Sequence, residues 1–249
     1  MGMVQGRVAN WDYRQEQLGG GIVVCTSRPD TFNEDSLLLA SFARAERVDR
    51  ACDLGTGCGV IPLLWCRREK PSHITAVDLS ERACGLARLG VEKSGVQERI
   101  QVVCADLRDF WHSVRRRYDL VAMNPPYFRS GGGSPNADPE ADRARRDGSA
   151  SVEEVCHSAA RLLNPGGRLC ICFPAERLCD ALCAMRAGHL EPKRLRPVAA
   201  RPDQAARLFL IEGVLGGRPG LRTEPELVSC DAAGVRTQQM EEFLNGGIV

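Results

Sequence analysis

No two cysteines in this chain are spaced C-x-x-C, although it holds twelve cysteines in 249 residues. That spacing marks zinc and thioredoxin-like sites, so neither is expected and no metal is assigned. Cys170 and Cys172, in "LCICF", sit in an apolar run, where cysteine acts as a small buried hydrophobe. Thiols at this density are expected to be reduced, which points to the cytoplasm rather than a secretory space. No apolar run approaches membrane-spanning length, and "MGMVQGRVANW" lacks the apolar stretch of a signal peptide. An excess of either charge is also missing: 33 Lys and Arg stand against 32 Asp and Glu, a net +1. A nucleic-acid partner would therefore need local basic patches. The sequence shows no internal repeat.

What is present is alternation. "RACDLG" (50–55), "HITAVDLS" (73–80), "RIQVVCADL" (99–107), "YDLVAMN" (118–124) and "RLCICFP" (168–174) read as strands, with "RLFLIEGVL" (207–215) and "LVSCD" (227–231) as later ones. Between them, "VIPLLWCRRE" (60–69), a segment capped by Ser80, "SVEEVCHSAARLLN" (151–164, closed by Pro165-Gly166-Gly167) and "AERLCDALCAMRAG" (175–188) read as helices. Alternating strands and helices predict an α/β fold, a mostly parallel sheet with helices on both faces. Residues 1–45, with a strand or hairpin in "QLGGGIVVCT" and a helix in "EDSLLLASFARA", form an N-terminal extension packing on a domain of residues 46–249. Residues 129–149 form a long polar loop without periodicity.

Ligands of such sheets bind at the carboxyl ends of the strands. The first of these strands runs into Asp53-Leu54-Gly55-Thr56-Gly57-Cys58-Gly59. This is G-x-G-x-G rather than the dinucleotide pattern G-x-G-x-x-G. Its glycines admit a ligand close to the backbone, and an acid before them suits an ammonium better than a pyrophosphate. The second strand ends at Asp78, which can accept from two ribose hydroxyls or cap the next helix. The third ends in Ala105-Asp106-Leu107, an acid and a backbone amide that can read an adenine. An ammonium, a ribose and an adenine together make S-adenosylmethionine the expected cofactor.

The fourth strand stops at Asn124-Pro125-Pro126-Tyr127. Two prolines cannot continue a central strand, and they hold the chain stiff. The Asn124 carboxamide and the Pro125 carbonyl can then both accept from one amino group, orienting its lone pair, while Tyr127 offers a face for a planar substrate.

With these motifs the chain resembles class I S-adenosylmethionine-dependent methyltransferases of the N-P-P-Y type. More closely it resembles the bacterial tRNA1(Val) adenine-37 N6-methyltransferases. The likeness is carried by "TFNEDSLLLASF", "DLGTGCGVIPLL", "MNPPYF", "ARRD", "RLLNPGGRL", "PAERL" and "LEPKRLRPV" with "RLFLIEG", in family order. The resemblance implies a Rossmann-like domain with a seven-stranded sheet and methyl transfer to the N6 amino group of a tRNA adenine, position 37 of a valine tRNA. It assigns Asp35, Asp53, Gly55, Gly57, Asp78, Asp106 and Leu107 to the cofactor. Asn124, Pro125, Pro126 and Tyr127 fall to catalysis, and Tyr127, Phe128, Arg145 and Arg146 to the substrate. The chain departs from the family at Arg28-Pro29-Asp30-Thr31 and Asn33, and Arg146 stands where a histidine is usual.

Three rivals remain open at this point: N5-methylation of a protein glutamine, as in a release factor, DNA adenine methylation, and a non-catalytic RNA-binding protein of the same fold. The short N-terminal extension disfavours the first, the lack of an insertion large enough for a target-recognition domain the second, and the intact N-P-P-Y the third. Further candidate RNA contacts are Arg143, Lys193, Arg194, Arg196 and Arg201, while Arg115-Arg116-Arg117 read as a solvated face. A monomer that engages tRNA and no membrane is expected.

Overall fold

The computed structural model describes residues 4–8, 11–28, 30–67, 69–125 and 150–245. It begins with three strands, β1 (Val4–Val8), β2 (Trp11–Gly19) and β3 (Ile22–Thr26), in an antiparallel sheet. Then come α1 (Glu34–Phe42), β4 (Arg50–Leu54), α2 (Val60–Trp65), β5 (His73–Asp78), α3 (Glu81–Lys93) and β6 (Ile100–Cys104). After these follow α4 (Leu107–Phe110), β7 (Tyr118–Met123), α5 (Val152–Leu162), β8 (Leu163–Pro174), α6 (Leu178–Ala187), β9 (Leu190–Ala199) and β10 (Leu208–Leu215). Two short strands, β11 (Arg222–Thr223) and β12 (Leu227–Val228), and α7 (Gln238–Leu244) complete the described chain.

The large sheet has the order β11-β9-β10-β8-β7-β4-β5-β6, with β12 also on β9. From β8 to β6 all neighbours are parallel, and β10 runs antiparallel between β8 and β9. Seven long strands thus form the expected mostly parallel sheet, and the two-residue β11 and β12 widen it. The chain steps from β4 outward through β5 to β6, then returns to the other side of β4 with β7. Strand order reverses between β4 and β7, and a crevice opens at their carboxyl ends.

Side-chain alternation places helices on both faces. Ala51, Leu120 and Ala122 pack with α1, α2 and α3, whereas Cys52, Leu54, Val121 and Met123 pack with α5 and α6. Strands buried on two faces need near-continuous apolar runs, which is what β4 and β7 supply. Ser80 caps α3 by accepting from Ala83 N, and Ser151 with Glu154 forms a capping box on α5.

The N-terminal sheet docks on α3. Ser94 Oγ accepts from Val23 N at 2.9 Å and donates to Val23 O at 3.2 Å. Gly90 permits that approach, because a Cβ there would lie 3.1 Å from Val23 O and 2.9 Å from Leu63 Cδ1. Tyr13, Ile22, Val24 and Cys25 share one core with α1 and α2.

Several expectations change. The third strand stops at Cys104 rather than running to residue 107, and Ala105 N donates to Asp78 O. Pro165-Gly166-Gly167 does not close α5. It lies inside β8, where the register on β7 shifts between Tyr118 and Leu120. Residues 190–199, read from sequence without a strand, form β9. Arg194 and Arg196 are not RNA contacts: they are buried, Arg196 at 2% exposure. Arg194 bonds Glu212, Glu224 and the Phe42 carbonyl and lies 3.9 Å from the Phe42 ring centroid. Arg196 is ion-paired with Glu224 at 2.9 Å. Charges this deep persist only where carboxylates face them.

Candidate functional site

The glycine turn after β4 and the start of the N-P-P-Y motif after β7 meet at the crevice. Together with the N-terminus of α1 they enclose a cavity of about 210 Å³, lined by Asn33, Ser36, Gly55, Thr56, Gly57 and Asn124 among others. Gly55 and Gly57 have φ of 65° and 56°, a conformation strained for other residues, and a Cβ on Gly55 would press on Met123 Cε at 3.3 Å. The turn is thereby shaped as a cradle.

Asp53 is wholly buried beneath this turn. Thr56 Oγ1 donates to its Oδ2 at 2.6 Å, while Oδ1 has no hydrogen-bond partner among the described residues. Burial pushes the carboxyl up to about 8, against the opposing bond from Thr56. A buried carboxylate oxygen without a partner is costly, and a cation supplied by a ligand would satisfy it. Asp78 lies at the end of β5, its Oδ2 accepting from Gly57 N at 2.8 Å and its Oδ1 from Ser80 N at 2.9 Å. It therefore ties the glycine turn to the start of α3, and the cap of that helix is Ser80. Burial raises its pKa despite those two amides.

Asp106 sits outside the third strand and caps α4. Arg108 grips it with Nε at 2.9 Å and 3.0 Å from the two oxygens, which holds the carboxyl below the usual range. Leu107 is the first residue of α4 and half-buried. Asp35 is on α1, with its Oδ1 held by Arg207 Nη1 at 2.6 Å, and it is not in the cavity wall. Asn124 points its Nδ2 at Ser36 Oγ (2.9 Å), and its Oδ1 is buried with no partner among the described residues. Pro125 follows and is buried. Pro126, Tyr127, Phe128, Arg145 and Arg146 lie outside the described residues. Sequence reasoning missed Thr56, Asn33 and Ser36. Asn33 was legible as a helix cap, but its neighbour across the crevice was not.

The residues present fit S-adenosylmethionine. An acid oxygen without a partner among the described residues lies beneath a glycine cradle, and a second, half-buried carboxylate follows on the adjacent strand. No group of three or more His, Cys, Asp or Glu fit to hold a metal ion occurs among the described residues. Likewise no helix there is long and apolar enough to cross a membrane.

Fold and site together define a class I methyltransferase that uses S-adenosylmethionine. Residues 24–185 match the model of the methyltransferase small domain, and the chain belongs to that family. It is 32% identical over 178 residues to the tRNA1(Val) (adenine(37)-N6)-methyltransferase of Parabacteroides distasonis, covering 72% of this chain and 74% of the relative. The enzyme of the same name from Tolumonas auensis is 32% identical over 194 residues, 78% of this chain and 79% of that one. Among solved structures, a predicted O-methyltransferase from Agrobacterium tumefaciens shares the fold with a TM-score of 0.64 at 20% identity, over 85% of this chain and 96% of that one.

Two cofactor predictions arise here. If Asp53 faces the cofactor's ammonium, it must ionise to bind, and a proton competes below about pH 8. Affinity should then rise with pH by up to about tenfold per unit below that value. The cofactor's own α-amino group loses its charge near pH 8, so the rise should end there. Calorimetry at pH 6, 7 and 8 measures it. An Asp53→Asn chain should show weaker binding and a flat profile, and a flat profile in the wild type rules the contact out. Asp78→Ala should weaken cofactor binding by about 1.5–3 kcal/mol, the loss of a hydrogen bond to a charged group. Unchanged affinity would exclude Asp78 from the ribose.

Proposed function

We propose that this chain transfers a methyl group from S-adenosylmethionine to the N6 amino group of an adenine in tRNA, at position 37 of a valine tRNA, in the cytoplasm. One observation carries the reading: the buried Asn124 Oδ1, an acceptor without a partner among the described residues, stands at the switch point beside the glycine cradle. An acceptor there suits a donor on the substrate, and an aromatic –NH₂ is such a donor. The carbonyl of Pro125 is the second acceptor, and the names of the relatives supply the nucleic acid and the position.

Bound S-adenosylmethionine would supply an electrophilic methyl on a sulfonium, with a neutral thioether as the leaving group. The chain's own task is to hold the amine. Two acceptors on its hydrogens draw density to nitrogen and fix the lone pair toward the methyl. The extra proton departs after the N–C bond has formed, so no strong base is needed. Tyr127 is proposed to stack on the base, and Arg145 and Arg146 to hold phosphates. An anticodon loop offers unpaired adenines, which cost less to turn out than a paired base.

Purified chain, labelled cofactor and bulk tRNA test the reading. Mass spectrometry of the digested nucleosides should find N6-methyladenosine, and mapping should place it at position 37 of a valine tRNA. Label on a protein glutamine instead of tRNA would replace this reading by N5-glutamine methylation.

A further inference from the structure

An amide has an acceptor end and a donor end, and only one of them can serve a substrate amine. The oxygen of Asn124 is the end left without a partner among the described residues, and the surrounding bonds show why. The backbone N–H of Ser36 can only donate, and it donates to the Asn33 side chain at 3.2 Å, which fixes Oδ1 at that end. Ser36 Oγ also donates to Asn33 Oδ1, at 3.4 Å, so its lone pairs remain for Asn124. In that arrangement both groups facing Asn124 accept. Asn124 meets them with its Nδ2, at 2.9 Å from Ser36 Oγ and 3.5 Å from Asn33 Oδ1. Rotating the amide by half a turn would set its oxygen against Asn33 Oδ1 and draw the Ser36 hydroxyl away from that atom. The chain of bonds starts at the N-terminus of α1 and ends at the reacting face of the N-P-P-Y motif, across 88 and 91 residues of sequence.

We infer that Asn33 and Ser36 are positioning residues that lock the Asn124 carboxamide with its oxygen toward the substrate amine. The N-terminal extension thus contributes directly to the methyl-transfer site. Ser36 is buried and Asn33 caps α1, so both are held by structure that persists without substrate. The inference rests on the role of Asn124 proposed above.

The test measures kcat, KM for tRNA and cofactor affinity in four variants. Ser36→Ala removes the acceptor nearest to Nδ2 and keeps the helix. Its kcat should fall by about tenfold or more, as for a misplaced reacting group, with KM and cofactor affinity within about twofold. Ser36→Thr retains the hydroxyl and should restore turnover. Asn33→Asp keeps an acceptor at Oδ1 and the cap, so it should turn over near the wild-type rate. Asn33→Ser keeps a cap but is too short to reach Asn124, and should lose kcat. Equal kcat in Ser36→Ala and wild type overturns the inference, as does a Ser36→Thr chain no better than Ser36→Ala. A loss confined to cofactor affinity also overturns it. A wild-type chain that leaves tRNA unmethylated ends the substrate reading and this inference with it. A wild type that methylates, beside a Ser36→Ala chain of equal kcat, ends this inference alone.

Discussion

Asn124→Ala is expected to lower turnover by about a hundredfold or more, the scale for losing one preorganised polar contact in a reacting site. Cofactor affinity should change by far less, because Asp53, Asp78 and the glycine turn hold their bonds without Asn124. The protein should remain folded, since the side chain contributes one short bond, to Ser36 Oγ. Single-turnover methylation of tRNA with saturating cofactor measures the step directly. A mutant that methylates at the wild-type rate removes Asn124 from the chemistry. A mutant that fails only because it no longer binds cofactor assigns it to the other half of the site.

Glu212→Ala is expected to destabilise the fold by about 3–5 kcal/mol, the cost of removing one partner from a buried ion pair. For a chain of this size that lowers Tm by about 6–20 °C. Four guanidiniums, of Arg44, Arg168, Arg194 and Arg196, share the carboxylates of Glu212 and Glu224. Glu212 alone holds Arg168 at 2.7 Å and Arg194 at 3.0 Å. Burial works to raise its pKa, but the two guanidiniums outweigh it and the net shift is downward. The sign follows. This acid contributes stability above the unfolded-state value of about 4.3 and loses it as pH falls through the folded one. The difference in Tm between wild type and Glu212→Ala should thus shrink in acid. Turnover at 25 °C should survive, because the cluster lies under the far end of α1, at Phe42 and Arg44, and not at Asn33. An unchanged Tm at neutral pH would show that the cluster contributes nothing net.

The same cluster shows where reading residues in a row fails. Lys193, Arg194 and Arg196 look like a basic patch because charge is the visible property of "PKRLR". As a strand, β9 alternates, and its inward arginines meet Glu212 of β10 and Glu224 beyond β11. Pro192 and Pro197 lie inside β9, although proline lacks the N–H that a ladder needs. The structure accommodates them because Pro192 pairs at the irregularity between Glu212 and Gly213. Among the described residues, moreover, the outer side of β9 is paired only at Arg194–Leu195 and Val198–Ala199. Asp106 and Asp35 carry partners that a row of residues does not show: Arg108, two residues away, holds the first, and Arg207, 172 residues away, the second.

By itself the sequence determined the α/β order, the mostly parallel sheet, the glycine turn after β4 and the abrupt stop after β7. These follow from local rules: apolar runs make buried strands, glycine permits positive φ, and proline ends a ladder. The tertiary structure alone decided which charges are buried against one another, which oxygen of Asp53 is left without a partner among the described residues and which end of the Asn124 amide meets Ser36. Those depend on contacts between residues far apart in the chain. Burial and hydrogen-bond supply, which decide whether a polar group is satisfied, are properties of the packed molecule and not of any segment of it.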